Sequence, residues 1–358
     1  MVVKTTVQSQ SNTITTAAPF LLIVPDARAG GMGDIGVATS SDAFSLFHNP
    51  SKIVFNTNQI SIGVNYTPWL RNLVDDIFVG GVSYVSRFSE NAAWGVDFKY
   101  FSLGEITLTD DVGQTIGTEN PNELAIAGTY ALKLSETFSM GVALRFIHSN
   151  YKLNVQNPDI EAINSFSVDV SGYYQSSEEN YGTFNGRYRL GFNIANIGPK
   201  VSYVPGKEDF IPTNLKLGAG FDFILDDYNI IGINVETTKL LVPTPQPDGS
   251  DKDAGFLAGM FTSFGDAPGG FSEEVKEFTY ALGAEYLYNN AFALRAGYYH
   301  ESEIKGNRQY LTMGGGFKAR AFSIDLSYLV NSSNVNHPLE NTMRFSLSFD
   351  LGEIYEDY

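Results

Sequence analysis

The chain has 358 residues, with Lys+Arg 23 against Asp+Glu 40 and a formal net charge of −17, a balance that repels phosphate backbones and, with no basic cluster to offset it, excludes a nucleic-acid-coating protein. Charged residues make up 18% of the chain, against roughly 25% in ordinary globular proteins, aromatics 13%, and glycines number 35, which excludes a disordered chain. Cys 0 removes disulfide scaffolds, thiol catalysis and cysteine-based zinc centres, and His48, His148, His300 and His337 lack metal-ligand spacing.

In chain order, Met1 to Gln10 lack the apolar core of a secretory signal, so either the protein stays inside or the sequence shown has lost its leader. The patterning that follows argues for the second. The longest apolar run, Ala17 to Val24 interrupted by Pro19, falls far short of the roughly 20 residues of a membrane-crossing helix. Residues 1–58 do not alternate. From Gln59 onward the dominant period is two, giving about 14 strands over 59–67, 76–88, 92–103, 122–134, 137–149, 165–175, 186–197, 214–225, 228–240, 277–288, 291–301, 309–318, 321–330 and 340–352. In the third, Trp94, Val96, Phe98 and Tyr100 alternate with Gly95, Asp97 and Lys99; in the last, Phe345, Leu347 and Phe349 alternate with Arg344, Ser346, Ser348 and Asp350.

Each run has the length a tilted strand needs to cross hydrocarbon, and the connections sort by parity as a transmembrane barrel requires. Ser89 to Asn91, Ser135-Glu136, Asp226-Asp227, Asn289-Asn290 and Arg320 mark tight turns; Leu103 to Asn122 and 241–276 are long loops, and only Ser176 to Asn185 is longer than its parity predicts. A soluble β-sandwich also alternates, but its connections do not sort this way. The expected fold is therefore all-β: a transmembrane antiparallel β-barrel of about 14 strands over 59–358, with 1–58 as an N-terminal extension and plug in the lumen. Phe and Tyr, 26 and 20 in number, supply its interfacial girdles. A short acidic tail follows the last strand, where such barrels often stop at an aromatic.

Within 1–58, Gly30, Gly31, Gly33 and Gly36 permit positive φ and close backbone approach. Ser41 or Asp42 is placed to cap a short helix through Phe47 that Asn49-Pro50 would end. Arg28 and Asp42 are expected to pair with inward charges such as Asp97, Arg145, Arg187, Arg189, Glu285 or Arg295. Gly31 to Gly36 also spells the dinucleotide fingerprint G-x-G-x-x-G, without the flanking strand and helix that fingerprint needs. No catalytic constellation, metal site or cofactor motif stands out.

The stretch Pro25-Asp26-Ala27-Arg28-Ala29-Gly30-Gly31-Met32-Gly33-Asp34-Ile35-Gly36-Val37-Ala38, followed by Asp42-Ala43 and Asn49-Pro50-Ser51-Lys52, resembles the N-terminal hatch of the FadL superfamily of outer-membrane barrels, and within it most resembles the PorV family of type IX secretion. The resemblance makes Arg28, Gly31, Gly33, Gly36, Asp42, Asn49 and Pro50 hatch residues. Fatty-acid transporters often carry Asn-Pro-Ala where this chain has Asn49-Pro50-Ser51, a departure that bears on the hatch's ligand role.

The loop 241–276 holds apolar residues outside any strand: Phe256, Leu257, Met260, Phe261, Phe264 and Phe271. Either they bind a partner or they fold back as a lid over the barrel mouth. Trp69, Leu70 and Leu73 in the first long loop join the same patch or sit in the aromatic belt. The PorV resemblance implies a non-enzymatic outer-membrane shuttle. Its partners would be the large translocon barrel of type IX secretion, the C-terminal signal domains of cargo, the surface-attachment complex and membrane lipid. The alternative is a FadL-like transporter of hydrophobic small molecules.

Overall fold

The computed structural model describes residues 13–69, 76–110, 112–152, 160–246, 248–332 and 341–355. Fourteen long strands form one antiparallel ring: β1 (Asn58–Pro68), β2 (Ile77–Arg87), β3 (Ala92–Leu103), β4 (Asn122–Lys133), β5 (Phe138–Asn150), β6 (Ile163–Gln175), β7 (Asn185–Ile197), β8 (Asn214–Ile224), β9 (Asn229–Leu240), β10 (Phe278–Tyr288), β11 (Phe292–His300), β12 (Gln309–Ala319), β13 (Phe322–Asn331) and β14 (Met343–Ile354). Each pairs with its sequence neighbour, and β14 closes on β1 through pairs such as Phe349↔Ile62 and Phe345↔Tyr66. Closure is what a strand-built wall in lipid demands, because an edge would leave backbone N–H and C=O groups unpaired at several kcal/mol each.

The alternation sorts the wall into two faces. Val96, Leu144, Leu190, Ile233, Leu294, Met313 and Leu326 are exposed on the outside, while Asp97, Lys99, Asp169, Arg189, Glu236, Arg295 and Arg344 are buried on the inside. Aromatic pairs ring both rims, with Tyr66–Phe78 and Phe146–Phe166 at 5.4 and 5.3 Å near the long loops and Tyr84–Trp94 and Tyr174–Tyr188 at 5.3 and 5.7 Å near the short turns. Such girdles sit where hydrocarbon meets headgroups.

The turns are tight for a stated reason: Asn289 and Asn290 (φ 54° and 47°) and Arg320 (φ 54°) take the left-handed conformation that two-residue hairpins require. The long connection from Ser176 has a simple cause, since Glu179–Asn180 pairs back onto Asn185 and Gly186 and extends the hairpin beyond the wall. Register shifts interrupt the ring at two places. Where β14 closes on β1, the pairing jumps from Asn58↔Ile354 to Ile60↔Leu351. At the long-loop end of β7, Asn196 (φ 60°) forms a bulge, and the β6 pairing jumps from Ile194↔Val170 to Ile197↔Val168.

The segment from Thr13 to Thr57 packs inside the ring. It starts at the long-loop rim, where the Ala17 N–H donates to the Phe210 carbonyl (2.8 Å), and ends at the turn rim, where Asn56 donates to Ser61 (2.8 Å). Between these points Lys99 of β3, Ser139 of β5, Arg189 of β7 and Ser83 of β2 donate to its carbonyls, and its own N–H groups donate to Ser346 of β14, Thr312 of β12 and Glu236 of β9. A short helix (Ala27–Gly30) and three 3-10 turns (Pro19–Leu22, Ser45–Phe47, Pro50–Phe55) are its regular structure.

Two local expectations need correction. Asn49-Pro50 does not end a helix begun at Ser41; the Asn49 carboxamide accepts the Ser51 N–H (3.1 Å) and opens the Pro50–Phe55 turn, with Pro50 at its first position. Asp42 closes only a local loop, accepting the Phe44 N–H at 2.9 Å, so the helical turn starts at Ser45. Among the four glycines, only Gly33 has positive φ (75°). A Cβ there would lie 2.9 Å from the Tyr298 carbonyl oxygen, and one on Gly31 3.1 Å from the Cα of Gly314. Close approach to the wall is the second requirement these glycines meet.

Candidate functional site

Arg28 is the centre of the plug's attachment. Its guanidinium bridges Asp42 (2.8 Å) and Glu285 of β10 (2.8 and 3.1 Å) and donates to Ser40. Glu285 also takes Arg295 (2.6 Å), which reaches on to Asp325 (2.6 Å). Of the wall charges expected to pair with the plug, Arg28 takes Glu285, with Arg295 as relay, while the ion pair of Asp42 is with Arg28 inside the plug. Burial opposes charge on Arg28, but the carboxylates of Glu285 and Asp42 outweigh it and hold the guanidinium firmly protonated. Asp34 takes Arg344 (2.7 Å) and Tyr310 (2.6 Å), and Asp26 takes His48 (2.6 Å). Burial pushes the Asp26 carboxyl up, yet His48 and the Ala29 N–H overcome it and leave the pKa at about 2.

The remaining hatch residues are spent on backbone. Gly36 and Val37 both donate to one Glu236 oxygen (2.9 Å each), and Asn49 donates to the carbonyls of Val37 (2.8 Å) and Gly172 of β6 (3.1 Å). Within the glycine run, Gly33 likewise donates to a wall side chain, Thr312 (2.8 Å), whereas Gly30 and Gly31 donate to the Asp26 and Ala27 carbonyls of the short helix. At the long-loop rim, Ala17, Ala18 and Phe20 are buried among Val79, Phe101, Ala125, Ile147, Ile163, Val201 and Ile211. Trp69 packs against this cluster, edge-on to Phe101 (6.5 Å). Leu70 and Leu73 lie outside the described residues. Beneath the cluster is a cavity of about 40 Å³ lined by Leu21 to Val24, Asp97, Lys99 and Arg145 among others. On the turn side of the plug a vestibule of about 490 Å³ opens beside Arg28, Asp42, Arg187 and Glu285.

The long loop after β9 is structured. A helix, Phe256–Thr262, rests its Gly259 face on Pro243 and Phe210, where a Cβ would lie 3.0 and 3.1 Å away. Met260 points inward and is buried, and Phe256 is half-buried. Leu257 and Phe264 are exposed, Phe261 is 78% exposed and Phe271 84%. The six apolar residues singled out in this loop thus divide into two that anchor it, Phe256 and Met260, and four that face outward.

A brace that sequence reading missed holds the loop. Lys239, fully buried at the end of β9, contacts Glu274 (2.7 Å) and Glu277 (2.6 Å); Lys305, in the loop after β11, contacts Glu273 and Glu277 (2.8 Å each). Thr244 donates to Glu277 (2.6 Å), and the Lys239 ammonium lies 5.4 and 5.8 Å from the Phe278 and Phe264 ring centres. Burial works to raise the Glu277 pKa, but the two lysines and Thr244 together lower it. Carboxylate oxygens of Asp266, Glu274 and Glu277 come within 4.8 Å of one another; Lys239 contacts both glutamates and Lys305 contacts Glu277. Spacing gave a partial signal, since Glu273 and Glu277 stand one helical turn apart, but their lysines are 28 to 38 residues distant.

A family model described as "Type IX secretion system protein PorV" matches residues 6–247. No curated protein matches the chain. Among solved structures, the CymD monoaromatic hydrocarbon channel aligns with TM-score 0.52 and 15% identity over 93% of this chain and 99% of that one. The Pseudomonas putida toluene transporter TodX aligns with TM-score 0.50 and 11% identity over 93% and 99%. A Pseudomonas aeruginosa FadL homologue gives TM-score 0.47 and 12% identity over 92% and 99%. At such identities the first two likenesses speak to the fold, that of an outer-membrane barrel.

Proposed function

The chain belongs to the family of the type IX secretion system protein PorV, and from that membership we propose that it is an outer-membrane shuttle for secreted cargo. In this reading residues 1–58 form the hatch and 59–358 the barrel that carries it. The long loops receive the C-terminal signal domain of cargo as it leaves a large translocon barrel and deliver it to the surface-attachment complex. The protein supplies binding, and chemistry belongs to a partner.

The observation that carries the proposal is the braced loop 241–277, which holds Phe261 and Phe271 out into solvent. Exposed aromatic area on a rigid support is costly in water and suits a protein partner. The lumen argues in the same direction. A conduit for hydrophobic solutes needs apolar space, whereas here Phe20 and its neighbours pack the long-loop end and the cavity beneath measures about 40 Å³; a dry cavity that accepts benzene is about 150 Å³.

Deleting 253–272 tests the proposal. Expected are a barrel that stays folded and heat-resistant, cargo retained in the cell, and loss of co-purification with the translocon. Normal secretion by that variant would reject the loop assignment. Tight binding of long-chain fatty acid, together with secretion that does not depend on the protein, would instead favour a transporter of hydrophobic solutes.

A further inference from the structure

Ala18, wholly buried in the mouth of the barrel, takes the left-handed conformation (φ 47°, ψ 51°) without being glycine. Its Cβ makes that conformation costly, and such strain persists only where surrounding contacts impose it. Much of the constraint comes from one connection. The Ala17 N–H donates to the Phe210 carbonyl (2.8 Å) and the Ala18 N–H to the Tyr203 hydroxyl (3.3 Å), while Val201 and Ile211 pack in the same cluster as Ala17, Ala18 and Phe20. These partners all belong to 198–213, between β7 and β8, which folds as a small hairpin of Val201–Val204 on Lys207–Asp209.

The same connection touches the outer-loop helix Phe256–Thr262. The Phe210 ring lies against Gly259, where a Cβ would come within 3.1 Å of it, and Lys200 donates to the Lys252 carbonyl (2.5 Å) just before the helix. Phe210 thus has its ring on the helix and its carbonyl on the strained segment. We propose that 198–213 is a latch coupling the outer-loop helix to the mouth. With the helix seated, Phe210 holds residues 17–20 in place; when the helix is displaced, Phe210 follows it and the strained segment leaves the mouth. Asp97, Lys99 and Arg145 line the cavity beneath, so its departure admits water to a charged lumen. The coupling runs through contiguous packed groups and one backbone hydrogen bond. It goes beyond the shuttle reading, being internal to the chain and independent of what engages the helix.

The chain has no cysteine, so Ala17→Cys places a single reporter at a site that is 4% exposed. The full-length barrel in nanodiscs is labelled with a membrane-impermeant maleimide. Gly259→Val drives side-chain atoms against Phe210 and is expected to speed labelling about tenfold, with Gly259→Ala acting in the same direction to a smaller extent. Gly265→Val, at a position with nothing within 4 Å of its Cβ, should leave the rate within about twofold. Phe210→Ala removes the ring and keeps the carbonyl, so in that background either Gly259 variant should change the rate by less than about twofold. An unchanged rate in both Gly259 variants overturns the proposal. So does acceleration that persists in full without the Phe210 ring, or equal acceleration by Gly265→Val. Heat-modifiability and the proteolysis pattern of 253–272 report whether barrel and helix stay folded; where Gly259→Val opens the helix to protease, Gly259→Ala carries the same comparison.

Discussion

Glu285 stands between Arg28 of the plug and Arg295 of the wall, and this position decides what each substitution does. Arg28→Met leaves Glu285 paired with Arg295, so about 1–3 kcal/mol of stability should be lost, the range of a charged hydrogen bond. Glu285→Gln leaves two buried guanidinium groups facing each other and should cost more, about 3–5 kcal/mol. The order of the two variants in the temperature at which the folded band converts on a denaturing gel checks the assignment. Asp26 offers a pH signature. Its folded pKa of about 2 lies below the ordinary aspartate value of 3.8, so its stabilisation is complete above roughly pH 4 and lost as pH falls toward 2. Asp26→Asn should lower the urea midpoint at pH 7 and flatten the acid limb of its pH dependence between pH 4 and 2. An unaltered acid limb would count against the Asp26–His48 pair.

At the scale of elements, the loop after β9 and the plug solve the same problem, that of fixing irregular backbone against a sheet, by buried charge. Lys305→Met should remove the ammonium from Glu273 and one of the three partners of Glu277, and limited proteolysis near Gly265 to Gly270 should then speed up about tenfold while the strands stay resistant. Strand boundaries were legible in the sequence to within a few residues because period-two alternation records which face meets lipid. The inward or outward sense of loop residues was not. Met260 and Phe261 are adjacent and equally apolar, and only the close fit of Gly259 on Pro243 and Phe210 turns one in and the other out. Asn49-Pro50 misled for a related reason: the same dipeptide that ends a helix also starts one, and the Ser51 N–H decides which.

For the whole molecule, the ring and its filling are separable claims. Removing residues 13–57 should leave a heat-modifiable barrel, since every strand still has both neighbours. The wall's inward charges would then face water, and single-channel conductance in planar bilayers should rise severalfold over the intact protein. An unchanged conductance would mean that the plug does not close the lumen. At the bulge in β7, Asn196 is tied to Arg145 (2.5 Å), Asp169 (2.8 Å) and Thr213 (2.7 Å), so the wall is bonded there by side chains as well as by the ladder.

The sequence by itself determined a closed wall of alternating strands, the parity of its connections and a glycine-rich segment suited to a confined lumen, because each is written in local periodicity or in single residues. Tertiary structure alone decided that Arg28 meets Glu285 across 257 residues, that Lys239 and Lys305 brace the long loop, and that Phe20 fills the mouth. These are matters of which distant side chains the closed ring brings within reach, and Coulomb attraction and close packing select partners by distance in space, which sequence separation does not record.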